Sequence, residues 1–259
     1  MDRKKVGITD VEISGIGLGT GTFGREIDQE KAFEIMDYAV ENGITFFDTA
    51  EAYGGGQAYE IRKQSYGTTD VREKSTEMSS SELIIGRWMK SRGTRKNIEL
   101  CTKISGGKAR PDQIRTALDA SLERLGTDFV DIYKIHSPDV NTPIAESLDA
   151  MGEQVDLGKI KIIGGANYNG EQITEMLDQA KKNGYRRFEI MQPNYNLAVP
   201  EAETEVFPIC TKEQISITSY SPLGAGFLTG KYIRGDRNAI PEGTRMDVAP
   251  AHIDIYFND

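Results

Sequence analysis

Apolar, β-branched runs recur along this chain at the interval of one strand plus one helix, and no other feature restricts its fold as strongly. The runs are ITFFDTA from residue 44, IELCTKI from 98, FVDIYKIH from 129, IKIIGGAN from 160, RFEIMQPNY from 187 and ISITSYSPL from 215. From residue 98 onward their starts lie 31, 31, 27 and 28 residues apart, the length of one βα unit. SGIGLGT, from residue 14, adds a first strand 30 residues before the run at 44 and brings the visible strands to seven. Between them lie amphipathic stretches such as DQIRTALDASLERLG, where Ile114, Leu118, Leu122 and Leu125 share one face at helical spacing.

Such a series builds either a (β/α)8 barrel or a doubly wound sheet, and a phosphate-binding glycine loop would favour the second. The nearest glycine run, GIGLGTGTFG, has no helix opening on its third glycine. The expectation is therefore an α/β fold of the (β/α)8 TIM barrel type, one domain over residues 1–259. Two features depart from a regular barrel. The runs at 44 and 98 are 54 residues apart, which places an insertion at 57–80, after the second strand. It is polar and mixed in charge, so it reads either as a solvated surface excursion or as a flap over the substrate mouth. The second departure is at the end, where an eighth βα unit is not visible. HIDIYF, from residue 252, offers a short strand without a following helix. The expectation is a barrel missing its last βα unit, truncated at the C-terminus, with open edges through which copies associate.

A formal net charge of −9 disfavours nucleic acid and anionic membrane as partners, because basic clusters carry most of that affinity. Two distant cysteines, Cys101 and Cys210, and a start without an apolar leader point to a reduced cytoplasmic setting. No segment approaches the roughly 20 apolar residues of a membrane helix.

In a barrel the chemistry gathers at the C-terminal ends of the strands. Those ends carry Asp48 with Tyr53 just beyond it, Lys103, His136, Asn167, Gln192 and Tyr220. A lysine that interrupts a buried strand and one of only two histidines both fall there.

From the first strand to about residue 246 the chain resembles the aldo-keto reductases. The resemblance rests on FFDTAEAYGGG, TKI, ASLERLGTDFVDIYKIHSPD, LGKIKIIGGANYN, QPNYN and SYSPLGAGFLTGKY, in that order. It implies that Asp48, Tyr53, Lys103 and His136 are the catalytic four and that no metal takes part. It implies a nicotinamide dinucleotide, NADP with NAD as the alternative, bound without a Rossmann fold. Asn167 and Gln192 would then meet the carboxamide, Tyr220 would stack on the ring, and Ser221, Leu223 and the following glycines would line the pyrophosphate. Gly19, Thr20, Asp48, Lys231 and Arg245 complete the implied cofactor set. Ala166 stands where many relatives have serine, which removes one hydrogen bond to the carboxamide.

Elementary chemistry agrees with that assignment. Reducing a carbonyl by hydride needs an acid for the developing alkoxide and donors that stabilise it. Tyr53 is the acid, Lys103 a cation that favours its phenolate, Asp48 the carboxylate that holds the buried ammonium, and His136 the group that orients the carbonyl oxygen. The leading reading is thus a nicotinamide-dependent reductase of an aldehyde or ketone, with a small carbonyl compound or alcohol as substrate. Two others stand beside it: a non-catalytic cofactor-binding interaction subunit of the same fold, and a Schiff-base aldolase built on Lys103 or Lys134.

Overall fold

The computed structural model describes residues 1–67, 72–233, 236 and 239–257. An antiparallel hairpin comes first, β1 (Arg3–Lys5) paired with β2 (Glu12–Ser14). All seven apolar runs then become strands of one parallel sheet: β3 (Gly17–Gly19), β4 (Phe46–Asp48), β5 (Glu99–Ile104), β6 (Val130–Ile135), β7 (Ile160–Ala166), β8 (Ile190–Gln192) and β9 (Ser216–Ile217). They pair in chain order from β3 to β9. The helices between them are α1 (Gln29–Glu41), α2 (Gly55–Tyr66), α3 (Ser80–Arg92), α4 (Pro111–Leu125), α5 (Ile144–Asp156), α6 (Gly170–Asn183), α7 (Ala202–Glu205) and α8 (Phe207–Lys212).

The strands alternate at period two between two separate cores. Phe47, Leu100, Tyr133, Ile163 and Met191 face the helices and pack with Trp88, Ile114, Leu118, Met151 and Met176. Phe46, Cys101, Ile132, Ile162 and Ile190 face the other way and meet Val6 and Ile13 of the hairpin. That second cluster lies inside a curled sheet with the hairpin beneath it. Curling is also visible in side chains that meet across the interior, where Lys134 of β6 reaches Asp48 of β4, Gln192 of β8 and Thr218 after β9. The architecture is that of the (β/α)8 barrel with seven strands in the sheet. The edges β3 and β9 are not paired to each other among the described residues. A cavity of 540 Å³ lies between them, lined by Gly17, Gly19, Ile217 and Thr218 and reaching Asp48 and Tyr53.

The amphipathic stretch from residue 112 is helical as its spacing predicts. Ile114, Leu118 and Leu125 of α4 are fully buried, and the helix ends at Gly126 with a left-handed φ of 64°. One expectation needs correction. HIDIYF is helical, not a strand, and belongs to α10 (Ala251–Tyr256), preceded by the short α9 (Arg245–Val248). Ile253 and Tyr256, three residues apart, turn one face onto Met246 and Phe227, and this contact overrides the alternating pattern. Helix α2 runs through the first part of the insertion at 57–80. Residues 68–71 of it lie outside the described residues. The glycines after Tyr53 have a packing reason: a side chain at Gly55 would run into the backbone of Ser75 and Gly24.

Candidate active site

Asp48 closes β4 and points into the interior, where it is 7% exposed. Lys103, two residues beyond Cys101 on the same face of β5, is 1% exposed. Its ammonium donates to Asp48 Oδ1 and to the Thr49 carbonyl oxygen at 2.7 Å. Burial drives the lysine toward neutrality, but Asp48, Tyr53 and Cys101 together outweigh it and hold Lys103 above its ordinary value. Burial also works against the Asp48 anion, and the ammoniums of Lys103 and Lys134 reverse that, lowering Asp48 to about 2. The expected buried pair is present and extends to a third charge.

Tyr53 hangs over this pair on the loop after β4, its backbone N–H donating to the Ala50 carbonyl at 3.0 Å. Lys103 Nζ is 5.0 Å from the centre of the phenol ring, and the ring of His136 meets it edge-on at 5.4 Å. The sequence reading leaned on Lys103 to favour the phenolate. Lys103 does act in that direction, yet burial outweighs it and the phenol stays above its ordinary value, with Asp48 adding to the rise. Tyr53 is therefore a protonated acid at neutral pH. His136 follows β6, its N–H bonded to Ile104 O at 3.1 Å. Burial first, and then Lys103, lower its imidazole to about 4, so it is neutral at pH 7.

Of the residues expected at a nicotinamide, Asn167 and Tyr220 converge. Asn167, at the end of β7 with φ of 61°, donates from Nδ2 to the His136 carbonyl oxygen at 2.8 Å. Its Oδ1 accepts from the Tyr220 hydroxyl at 2.7 Å. Tyr220 keeps 36% of its surface exposed, and together with Ser221 and Gln192 it borders the cavity that reaches Tyr53. An open aromatic face beside an amide suits a flat ring bearing a carboxamide. Gln192 is differently placed from that expectation: its Nε2 donates to Asp48 Oδ2 at 3.2 Å and its Oε1 accepts from Lys134, so its amide is turned into the barrel.

Thr20 is fully buried, its hydroxyl donating to Asp48 O at 3.0 Å, while Gly19 opens onto the cavity. Ser221 has φ of 54° and its carbonyl accepts from Asn196, and Leu223 is 58% exposed. Lys231 lies over the Tyr232 ring and Arg245 donates to Glu26 Oε1 at 2.9 Å. Neither of these two joins the cluster around Asp48. The residues that sequence reasoning underrated are Lys134, weighed only as an imine lysine, and Thr218. A signal existed for Lys134, because Ile132, Lys134 and His136 share one strand face at period two.

A barrel-type sheet with an Asp, Lys, Tyr and His meeting at its C-terminal ends defines a class of oxidoreductase. The model of the aldo/keto reductase family matches residues 15–248, and the chain belongs to that family of nicotinamide-dependent oxidoreductases. A probable voltage-gated potassium channel subunit beta of Arabidopsis thaliana is 34% identical over 255 residues, covering 95% of this chain and 70% of that protein. The uncharacterized oxidoreductase YrpG of Bacillus subtilis is 32% identical over 249 residues, covering 91% and 71%. Among solved structures, the thermostable aldo-keto reductase Tm1743 in complex with the inhibitor epalrestat superposes with a TM-score of 0.70 at 29% identity, covering 86% of this chain and 73% of that one.

Proposed function

We propose that this chain reduces an aldehyde or ketone to the alcohol, with Tyr53 as proton donor and NADP(H) as the nicotinamide dinucleotide. The observation that carries the reading is the meeting of Asp48, Lys103, Tyr53 and His136 at one end of the sheet. When bound, the nicotinamide supplies the hydride that goes to the carbonyl carbon. Asn167, Tyr220, Ser221 and Gly19 would border it. The neutral imidazole of His136 hydrogen-bonds the carbonyl oxygen and orients it. Tyr53 then transfers its phenolic proton to that oxygen, and Lys103, held charged by Asp48, stabilises the phenolate until a solvent proton restores it. No imine is required of Lys103, two of whose three ammonium donors go to Asp48 and Thr49.

The likeness to a probable channel subunit favours a second reading, an interaction subunit that binds cofactor without turnover. A panel of carbonyl compounds assayed for loss of NADPH absorbance separates the two. Turnover should be present, and Tyr53→Phe should lower it roughly 10²- to 10⁴-fold with cofactor affinity little changed. Equal turnover in the Phe variant would sink the proton-donor role, and absence of turnover across the panel would favour the subunit.

A further inference from the structure

Lys134 is a second ammonium inside the barrel, and the scheme above makes no use of it. The side chain is fully buried. Its Nζ lies 3.4 Å from Asp48 Oδ2, 3.2 Å from Gln192 Oε1 and 3.1 Å from Thr218 Oγ1, three acceptors for the three donors of an ammonium. Register places Lys134 between Lys103 on β5 and Gly164 on β7. A Cβ at Gly164 would stand 2.5 Å from the Ile190 carbonyl oxygen and 3.3 Å from Lys134 Cγ. The glycine therefore clears the path by which a long side chain crosses toward β8 and Thr218.

Two ammoniums on adjacent strands and out of water repel, and Asp48 is the carboxylate that both reach. Its Oδ1 takes Lys103, while its Oδ2 takes Lys134 and Gln192. The carboxylate is gripped from both sides and cannot rotate without breaking one pair. Gln192 is likewise held at both ends of its amide. Two positive charges against one negative leave this layer with a surplus positive charge beneath Tyr53 and His136.

We infer that Lys134 is a positioning residue, locking Asp48 and Gln192 from below and supplying the surplus charge that steadies the Tyr53 phenolate. The last part rests on the reductase reading; the lock and the charge do not.

His136 is the reporter. The groups that face it are Asp48 from β4, Glu51 and Tyr53 from the loop after β4, Lys103 from β5 and Lys134 from β6, and Lys134 and Lys103 both lower it. Lys134 itself faces Asp48, Lys103, the Cys101 thiol, Gln192, Thr218 and the Phe46 ring. The chain has two histidines, so an imidazole NMR titration in a His252→Asn background reads His136 alone. Lys134→Met removes the charge and keeps an apolar stem. The His136 midpoint should then move up from about 4, by on the order of one pH unit. The alkaline limb of carbonyl reduction should move up with it, as the layer beneath the phenol loses a positive charge. Lys134→Gln keeps polar contacts without the charge and should shift both in the same direction. A folded Met or Gln variant with an unmoved His136 midpoint overturns the inference. So does the unaltered protein if nitrogen-detected NMR finds one protected lysine ammonium at neutral pH instead of two, a measurement that needs no variant to fold. A shifted His136 in a protein that reduces no carbonyl leaves the lock standing and removes the reductase reading; reduction with an unmoved His136 does the reverse.

Discussion

Asp48 and His136 are perturbed in ways that reach the stability of the whole chain. The folded imidazole, lowered to about 4, binds fewer protons than the unfolded chain at every pH between that value and its ordinary 6.5. Stability should be complete above about pH 6.5 and fall as the pH drops toward 4, by roughly 3 kcal/mol. Asp48, lowered to about 2, has the same sign in a more acid window. Its contribution is whole above about pH 4 and is lost as the pH falls through the folded value. Urea unfolding of the wild type and His136→Gln at pH 7 and pH 4.5 checks the first window; equal losses in both proteins would remove His136 as the cause. At Lys103, replacement by Met leaves Asp48 with Lys134 alone and takes the nearer cation from Tyr53. Reduction should fall by orders of magnitude, and the pH profile of the residue of activity should move upward. A profile that stays in place or moves down would assign the activation of Tyr53 to another group.

The loop carrying Tyr53 is tied to the segment that follows it. Gln57 Nε2 donates to Glu51 O at 3.0 Å, Ser79 Oγ donates to the same carbonyl at 2.6 Å, and Ser81 N–H reaches Tyr53 O at 3.2 Å. Helix α2 and the return strand of chain are braced by the ion pair of Arg62 with Glu73. We propose that this segment, described at 57–67 and 72–80, holds Tyr53 through its two ends and acts as a flap over the substrate mouth. Replacing 58–74 with a short glycine-serine link keeps Gln57, Ser79 and Ser81. It should change KM across a carbonyl panel more than it changes NADPH affinity, and identical kinetics before and after would return the segment to a solvated excursion.

At the scale of the whole molecule, the edges β3 and β9 are not paired to each other among the described residues. Ser216 and Thr218 donate their N–H groups toward β8, so the alternation of a strand turns the backbone of Ile217 outward from the ladder, facing the gap. Gly17 and Gly19 do the same on β3, where Thr20 N–H points to Asp48 O. Unpaired edges recruit other chains. We expect concentration-dependent self-association in sedimentation velocity. A monomer across the micromolar range, with a single cooperative unfolding transition, would show that the hairpin and the helices after β9 protect the gap well enough. No helix among the described residues is long and apolar enough to cross a membrane.

Local chemistry wrote most of this fold into the sequence. Continuous apolar runs spaced by amphipathic stretches are legible because each strand is buried on both faces and each helix on one, and seven runs became seven strands in chain order. The catalytic candidates were legible because a charge that interrupts a buried strand has to be compensated, as Lys103 is by Asp48. What spacing could not say was which partner compensates which charge. Lys134 and Gln192 are 58 residues apart, Lys134 and Thr218 84, and Asp48 and Gln192 144. Only the curl of the sheet brings them within hydrogen-bond range. The same holds for the hairpin beneath the barrel, whose strands expose a run of charge to solvent while Val6 and Ile13 turn inward. It holds also for residues 251–256, where an alternating pattern gave way to a helix because Met246 and Phe227 offered a face at helical spacing. Periodicity is a property of neighbours along the chain; the net charge under Tyr53, and the direction in which its phenol is pushed, come from groups that meet only once the sheet has curled.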